Sequence, residues 1–320
     1  MKNYFSLLIL ASFFIIGSCK KTNPVKTTKA IWAGTSAGVD KFSSSTWTNY
    51  SKNTSGLVFD DVLSVAIDAQ GYKWFGTSEG LSKFDGSNWT TYTSNTSGLA
   101  ADYISDIGID GKGNKWFGTN YGLTKFDGNT WTQYTAPNTP DSYVWATYFD
   151  TKGNGWFGTD YGVVQYDGVS TWTDYSSVNV QVMGENYEYI TAVAVDSKGI
   201  KWFGANNGAG VYTFDGSNWS FYDSSNSPMP ENGDVNSILI DSKGVMWFGM
   251  SLSGLVRFDG KNWTNYTADN SKLVANNINA MVFDFEGNLW IATDAGISKF
   301  DGTNWTTYLS GTNVLSLAVE

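Results

Sequence analysis

The side chains that most enzymes use for catalysis are scarce in this sequence. Histidine is absent, and Arg257 and Cys19 are the only arginine and cysteine among 320 residues. A Ser-His-Asp triad therefore cannot be built, and without histidine or a second cysteine we expect no zinc or other transition-metal site. A single cysteine also excludes an intramolecular disulfide. The chemistry that remains is that of carboxylates, amides, hydroxyls and aromatic rings.

Six aspartates are each followed by a glycine three residues later, a spacing that calcium-binding loops would share. They are Asp68, Asp110, Asp150, Asp196, Asp241 and Asp284. Several of these loops contain lysine, which disfavours a cation site, whereas aspartate commonly caps a turn through backbone N–H groups. We therefore interpret them as turn residues, together with the Asp-Gly hairpins such as the one at Asp85. No metal and no other cofactor is expected.

An internal repeat of about 42 residues organises the chain. A tryptophan followed two residues later by glycine occurs six times, and a seventh copy, at Trp290, has Ala292 in place of the glycine. A second tryptophan follows each of these after 15 to 17 residues, with a tyrosine three residues further on. The first tryptophans of the seven repeats are Trp32, Trp74, Trp116, Trp156, Trp202, Trp247 and Trp290. Repetition accounts for every tryptophan except Trp145.

One repeat contains four short strand patterns separated by turn residues. They are Val62–Ile67, Lys73–Thr77, Leu81–Phe84 and Asn88–Tyr92. Four antiparallel strands at this period are typical of a β-propeller blade, which buries both faces only by stacking between two neighbours. The sequence therefore predicts an all-β, seven-bladed β-propeller over residues 30–320.

The two ends of the chain indicate how the ring closes. The chain enters the repeats at Ile31–Gly34, a second strand without a first strand before it. It finishes at Val314–Glu320, which matches Val62–Asp68 position for position. We expect the C-terminal strand to complete the first blade, because this leaves no open sheet edge.

The repeat from Asp68 to Gly86 follows the pattern Asp-x-x-Gly-x-x-Trp-Phe-Gly-Thr-x-x-Gly-Leu-x-x-Phe-Asp-Gly. This pattern resembles the two-component regulator propeller repeat, common in periplasmic sensor parts of hybrid two-component systems of Bacteroidetes. Those sensors usually carry a second propeller, a further β-domain, a membrane span and a kinase, none of which we recognise here. The resemblance therefore implies a free-standing surface or periplasmic propeller, without direct signalling. Some enzymes also resemble this shape, but sialidase-like propellers use three arginines, and streptogramin-lyase-like and oligogalacturonate-lyase-like propellers use histidine.

The N-terminus is typical of an exported lipoprotein. Residues 1–18 form a predicted signal peptide whose apolar run, Phe5 to Ile16, is 12 residues long and too short to span a bilayer. Ile16-Gly17-Ser18-Cys19 resembles a bacterial lipobox, so we expect lipidation of Cys19 and a polar tether over residues 19–29. The alternative is an ordinary signal peptide with an accidental cysteine. We expect an outer-membrane lipoprotein, attached through its lipid only, with the side of the membrane left open.

Function is expected where the blades differ, because the residues that all blades share are needed to build a blade. Aromatic residues concentrate on consecutive blades, in loops and strand starts near one mouth of the central channel, beside asparagine and aspartate. The candidate ligand-binding residues are Tyr103, Tyr121, Tyr143, Trp145, Tyr161, Tyr187, Tyr189, Asp61, Asp160, Asn206, Asp234 and Asn236. The longest insertion, residues 176–188, lies beside them. Alternatively, Tyr143 and Trp145 only plug the channel mouth.

Three functions remain open at this stage. The first is a non-enzymatic propeller that binds a glycan or glycan-bearing ligand, since sugars need ring faces together with amides or carboxylates. The second is a protein-interaction scaffold in an envelope assembly, which uses the same aromatic anchors. The third is a polysaccharide lyase or hydrolase that uses tyrosine and carboxylates. The net charge of −10 argues against nucleic acid as a partner, and we expect a monomer.

Overall fold

A computed structural model describes residues 27–135, 143–175, 189–231 and 233–320. The predicted signal peptide, Cys19, the insertion at 176–188 and Tyr187 lie outside the described residues. Within them, 28 strands form seven antiparallel sheets of four strands each. The chain is therefore the seven-bladed propeller that its repeats predict.

Each blade is named here by its order along the chain. Blade 1 contains β1 (Ile31–Thr35), β2 (Gly38–Ser43), β3 (Thr46–Tyr50) and β28 (Val314–Val319). Blade 2 contains β4 (Val62–Ile67), β5 (Lys73–Thr77), β6 (Gly80–Phe84) and β7 (Trp89–Tyr92). Blade 3 contains β8 (Ile104–Ile109), β9 (Lys115–Thr119), β10 (Gly122–Phe126) and β11 (Trp131–Tyr134). Blade 4 contains β12 (Val144–Phe149), β13 (Gly155–Thr159), β14 (Gly162–Tyr166) and β15 (Trp172–Asp174). Blade 5 contains β16 (Ile190–Val195), β17 (Lys201–Ala205), β18 (Val211–Phe214) and β19 (Trp219–Tyr222). Blade 6 contains β20 (Val235–Ile240), β21 (Met246–Met250), β22 (Gly254–Phe258) and β23 (Trp263–Tyr266). Blade 7 contains β24 (Ile278–Phe283), β25 (Leu289–Thr293), β26 (Gly296–Phe300) and β27 (Trp305–Tyr308).

The repeated Trp-Phe dipeptide of the second strands builds the core between blades. Successive side chains of a strand point to opposite faces of its sheet, so the tryptophan faces the next blade and the phenylalanine faces the previous one. Trp32 lies 5.8 Å from Phe75 between ring centroids, and Trp74 lies 5.9 Å from Phe117. The same contact follows between blades 3 and 4, 4 and 5, and 5 and 6.

The glycine after each Trp-Phe pair lets the next blade approach. A Cβ atom at Gly158 would lie 2.2 Å from the carbonyl oxygen of Ile190, and one at Gly204 would lie 2.6 Å from that of Val235. Both carbonyls belong to the first strand of the following blade. The glycine is therefore required by close packing between blades, in the way a strand glycine often is.

The repeated aspartates hold the turns between first and second strands. Asp68 Oδ1 accepts hydrogen bonds from the backbone N–H groups of Gln70 and Tyr72 at 3.1 and 2.9 Å. Its other oxygen accepts one from Trp74 Nε1 at 3.0 Å. The turn interpretation is thus confirmed, and the same carboxylate also anchors the core tryptophan, which the sequence alone did not indicate. The tryptophan bond recurs at Asp110, Asp150, Asp196 and Asp284.

The C-terminal strand closes the ring as predicted. β28 pairs antiparallel with β1, with Val319 opposite Ile31. Glu320 then takes the place of the repeated aspartate, because its Oε2 accepts a hydrogen bond from Trp32 Nε1 at 3.0 Å. Its Oε1 lies 3.0 Å from Lys73 Nζ of blade 2. The last residue therefore fixes the first core tryptophan and bridges to the neighbouring blade.

Deleting residues 313–320 is expected to abolish cooperative folding. The deletion removes the inner strand of blade 1 and leaves the edge of β1 unpaired beside the channel. Thermal melting followed by circular dichroism should show a broad transition or none. A truncated protein that melts as sharply and at the same temperature as the whole chain would contradict the closed ring.

Glu320→Gln should remove only the charge-dependent part of this closure. Burial raises the pKa of Glu320, but the hydrogen bonds from Trp32 and Lys73 and the charge of Lys73 outweigh it, so the pKa lies below 4.5. The carboxylate therefore stabilises the fold above about pH 4.5, and this contribution is lost as the pH falls through the lowered pKa. We expect the variant to melt a few degrees lower at pH 7 and to converge with the wild type in acid. A constant difference across this range would contradict the assignment.

Candidate ligand-binding face

A β-bulge at the start of every first strand directs one side chain per blade into the central channel. In blade 2, Val62 pairs with Thr77 and Ser64 with Gly76, so that Leu63 has no partner in the ladder. The same shift occurs in the other six blades, and bulges commonly redirect a side chain in this way. The seven residues that it turns towards the channel are Leu63, Ser105, Trp145, Thr191, Asn236, Asn279 and Leu315.

Four of these channel residues connect neighbouring blades through hydrogen bonds. Thr191 Oγ1 donates to the carbonyl of Val235 at 2.9 Å, and Asn236 Nδ2 donates to that of Ile278 at 2.9 Å. Asn279 Nδ2 donates to Val314 at 2.7 Å, and the hydroxyl of Ser105 donates to Val144. The cavity that they surround has a volume of about 270 Å³. Asn236, a predicted binding residue, therefore holds blade 6 to blade 7 with its amide N–H.

Four of the predicted aromatic residues lie in one row at the channel mouth, called the aromatic stack below: Tyr103, Tyr143, Trp145 and Tyr189. Tyr143 stacks on Trp145 with centroids 3.8 Å apart and planes 13° from parallel. Tyr103 meets Tyr143 edge-on at 5.4 Å, and Tyr189 lies nearly parallel to Trp145 at 6.2 Å. Trp145 Nε1 donates to Asp160 Oδ1 at 2.6 Å. The stack spans the first strands of blades 3 to 5.

The environment of Tyr143 in the stack favours the neutral form of its hydroxyl. Burial raises the pKa of Tyr143 far above 10, and the hydrogen bond to Tyr103 and the charge of Asp160 raise it further. A phenol in this environment does not ionise near neutral pH. Tyr143 is therefore suited to packing and hydrogen bonding, and poorly suited to act as a base.

Two further predicted tyrosines occupy the tips of turns beside the stack. Tyr121 is 64% exposed and Tyr161 is 49% exposed. In both turns a threonine hydroxyl accepts the backbone N–H of the tyrosine and donates to the carbonyl of the residue after the tyrosine. For Thr119 these hydrogen bonds are 3.0 and 2.9 Å long. That next residue is Gly122 or Gly162, each with a positive φ, which favours glycine. The turns thus hold the rings in solvent on the same face as the stack.

The other predicted polar residues are distributed around this face. Asn206 Oδ1 accepts the backbone N–H of Tyr189 at 2.9 Å, which places it at the edge of the stack. Asp234 Oδ1 accepts the N–H of Asn207 at 2.7 Å. In the described part of the chain, no hydrogen bond joins the side chains of Asp61, Asp234 or Asn236 to the aromatic stack. The structure therefore groups the aromatic residues with Asp160 and Asn206.

Asp106 is a channel residue that the sequence reasoning missed. Its Oδ2 accepts the backbone N–H and the hydroxyl of Thr147 in blade 4, at 2.6 and 2.8 Å. Burial raises its pKa, although the hydrogen bonds from Thr147 partly offset this effect. A signal was present, because the equivalent positions of the other blades hold only serine or alanine: Ser64, Ala146, Ala192, Ser237, Ala280 and Ser316.

Neither a metal centre nor a membrane span emerges from the described residues. Among them, no three His, Cys, Asp or Glu side chains lie close enough together to hold a metal ion. Over the same ranges, no helix is long and apolar enough to cross a membrane.

Comparison with known families supports the repeat assignment. The family model for the two component regulator propeller matches residues 229–251 and 272–295. These segments cover first and second strands of blades 6 and 7. The chain therefore carries repeats of this kind, as the resemblance predicted. The sequence matches none of the curated proteins.

Solved structures share the propeller fold at low sequence identity. The extracellular domain of a putative one component system from B. thetaiotaomicron is 19% identical, with a TM-score of 0.58 over 85% of this chain and 44% of that one. PorZ, a surface component of the type-IX secretion system of Porphyromonas gingivalis, is 18% identical, with a TM-score of 0.62 over 85% and 43%. The present chain thus spans less than half the length of these two relatives.

An enzyme shares the fold as well. A catalytically inactive histidine-to-alanine variant of virginiamycin B lyase from Staphylococcus aureus, with quinupristin, is 16% identical, with a TM-score of 0.63 over 77% of this chain and 83% of that one. At these identities the likeness establishes the fold of the present chain and leaves its function to be argued from its own residues.

Asp106→Asn provides a test of the channel carboxylate. The raised pKa means that wild-type protein loses stability as the pH rises from about 4 through the pKa of the folded state. Asparagine retains an oxygen for Thr147 and carries no charge, so its Tm relative to wild type should increase from about pH 4 to pH 7. Asp269→Asn, at an exposed loop position, is the control and should track the wild type. A pH-independent difference for the channel variant would refute a buried, charge-disfavouring site.

Proposed function

We propose that this protein is a non-enzymatic, ligand-binding propeller of the bacterial cell envelope, and that its ligand is a glycan or a glycan-bearing molecule. One observation carries the proposal: aromatic side chains cluster on one face of three consecutive blades, whereas the positions equivalent to Tyr103, Tyr143 and Tyr189 hold aspartate or asparagine in the other four blades. Since the other blades are built without these aromatic residues, blade construction does not require them. Their concentration in one sector points to a ligand.

The chemistry of this sector suits a sugar. The exposed rings of Tyr121, Tyr161 and Tyr189 offer flat apolar surfaces to the C–H faces of a pyranose. Asp160 and Asn206 lie beside them and supply hydrogen-bonding groups for hydroxyls. Trp145 contributes less than expected from the sequence, because Tyr143 covers one of its faces. The binding surface would therefore consist mainly of the outer tyrosines, with the stack as their support.

Several observations support a binding role over catalysis. The whole sequence contains no histidine, whereas replacing a histidine by alanine gives a catalytically inactive form of the virginiamycin B lyase. The raised pKa of Tyr143 disfavours a tyrosine base in the stack. A polysaccharide lyase or hydrolase would have to rely on carboxylates alone, and in the aromatic sector one oxygen of Asp160 is already held by Trp145.

The entry of the chain supports an outward orientation of the aromatic face. Thr28 donates its backbone N–H to Glu286 at 2.9 Å, in the turn between β24 and β25. That turn lies on the opposite face of the ring from the aromatic stack. If Cys19 carries lipid, the tether would hold the opposite face towards the membrane. The sensor domain and PorZ, described as extracellular and as a surface component, agree with a location in the envelope.

A protein ligand is the second candidate, supported by an exposed apolar side chain on the same face. Leu252 is 75% exposed at the tip of the turn between β21 and β22 and has a φ of 59°, a left-handed conformation that is unfavourable for leucine. A strained, exposed leucine on this face is a candidate anchor for a protein ligand, because strained residues persist mainly at functional sites. A scaffold role in an envelope assembly would use this surface without sugar.

A thermal-shift screen of residues 20–320 against plant, host and bacterial oligosaccharides tests the proposal. A ligand at one hundred times its Kd should add about 3 kcal/mol, or several degrees in Tm. Tyr121→Ala and Tyr189→Ala should each reduce the shift, because they remove exposed ring faces. Phe221→Ala is the matched control: Phe221 is also partly exposed, at 39%, but lies on the outer strand β19.

The outcomes separate the candidates. A shift reduced by the tyrosine variants alone supports a glycan site on this face. A shift that survives both variants places the ligand elsewhere. No shift with any sugar, together with a stable protein partner in a mild pull-down, favours the scaffold. Release of product from a polysaccharide would refute both binding functions.

A further inference from the structure

The net negative charge of the described residues is concentrated on the face that carries the aromatic stack. This face comprises the loops from each fourth strand to the next first strand and the turns from second to third strands. Its described carboxylates are Asp60, Asp61, Glu79, Asp102, Asp160, Asp223, Glu231, Asp234, Asp269 and Asp294. The same loops contain only two lysines within the described residues, Lys52 and Lys272.

The opposite face contains the repeated aspartates and the Asp-Gly hairpins, but basic residues of its turns and adjoining strand ends bring its charge close to balance. Four of its first-to-second turns place an exposed lysine two residues after the repeated aspartate, at Lys112, Lys152, Lys198 and Lys243. Further lysines on its strands approach carboxylates, as Lys115 does with Asp68 at 3.2 Å. The two faces of the propeller therefore differ in net charge. Its acidic face attracts cations and repels polyanions over roughly a Debye length.

One carboxylate of this acidic face touches the aromatic stack directly. Asp160 Oδ1 accepts Trp145 Nε1 at 2.6 Å, which fixes the carboxylate against the indole. Over the described ranges, the second oxygen of Asp160 accepts no hydrogen bond. The adjacent residue, Tyr161, carries one of the exposed rings. A carboxylate oxygen is thus held at the N–H edge of the Trp145 ring, directly before the exposed Tyr161 in the turn, while Tyr189 lies nearly parallel to the indole at 6.2 Å.

This arrangement is chemically suited to an ammonium group. Aromatic faces attract cations through their quadrupoles, and a neighbouring carboxylate adds a charge-assisted hydrogen bond. The surrounding carboxylates add long-range attraction of the same sign. A uronic acid or a sulfated sugar would meet repulsion from both sources. Neutral sugars would experience neither effect.

Building on the proposed glycan-binding function, we propose that the recognised sugar carries a free amino group, whose ammonium form sits against the aromatic stack and Asp160. The acidic face selects this class of glycan over uronic and sulfated polysaccharides. A basic peptide would satisfy the same charges, but it would not need the flat tyrosine surfaces that surround the carboxylate.

A matched pair of ligands tests the inference on the full chain. Tetramers of glucosamine and of N-acetylglucosamine differ only in whether the amine is free, and calorimetry at about pH 5.5 keeps both the amine and the carboxylates charged. We expect the glucosamine tetramer to bind about ten-fold more tightly. Raising the salt concentration should weaken its binding and leave that of the acetylated tetramer unchanged.

A variant locates the effect. Asp160→Asn keeps an oxygen for Trp145 and removes the charge, so it should reduce the preference for the amine to near parity. Asp269→Asn removes a charge from the same face at a distant, exposed loop and should retain most of the preference. Because the ligand pair is measured first on the wild-type protein, the inference is tested even if Asp160→Asn folds poorly.

Each other result overturns the inference in a distinguishable way. Equal or tighter binding of the acetylated tetramer refutes amine selection and leaves glycan binding intact. Binding of a uronate oligomer in preference to both tetramers refutes the role of the acidic face. Binding of a lysine-rich peptide with no sugar bound refutes the sugar class and favours the scaffold. No binding by any oligosaccharide, including those of the thermal-shift screen, removes the proposed function itself.

Discussion

The indole ring on each second strand is the part on which the rest of the propeller depends. In five of the seven blades its ring packs against the phenylalanine of the next blade, as Trp74 does against Phe117. Its N–H is held by the carboxylate that caps the preceding turn, as Trp74 is by Asp68. One side chain therefore sets the distance between blades, fixes a turn and fills the core. A buried indole N–H without a hydrogen-bond partner destabilises the fold. The propeller tolerates one such case among these tryptophans, since no described residue accepts the N–H of Trp247.

At the blade junctions, the first residue of the second strand can be either a lysine or an apolar residue. Lys73 and Lys115 extend along the tryptophan of the previous blade, 5.3 and 5.5 Å from its ring centroid, and reach a carboxylate. In blades 6 and 7 the equivalent residues are Met246 and Leu289, which pack into apolar clusters. Since a partly buried ion pair and a well-packed apolar group contribute similarly to stability, drift between them is expected at positions that serve construction only.

The features that could be predicted from the sequence are those set by the spacing of residues along the chain. The repeat period and the four strands of a blade can be predicted from the spacing of residues. The completion of blade 1 by β28 can be predicted from the match of Val314–Glu320 to Val62–Asp68. The bulge that directs Trp145 into the channel cannot be predicted in this way, because it depends on the register between two strands. The bond between Asp106 and Thr147 crosses from blade 3 to blade 4, and no local pattern reports such a contact. Likewise, the sequence placed Tyr143 and Trp145 together but did not show that one ring covers the other.

Closure of the ring determines how a ligand bound to three blades would affect the other four. Each blade buries its faces only against two neighbours, and blade 1 is completed by residues from both ends of the described chain. No blade can therefore be lost without exposing the core tryptophans and phenylalanines on either side, and the ring should unfold as a unit. An open array of the same repeats would lose its terminal blades first. The free energy of binding a ligand at the aromatic stack would thus stabilise the whole propeller, although the side chains in contact with it would belong to blades 3 to 5.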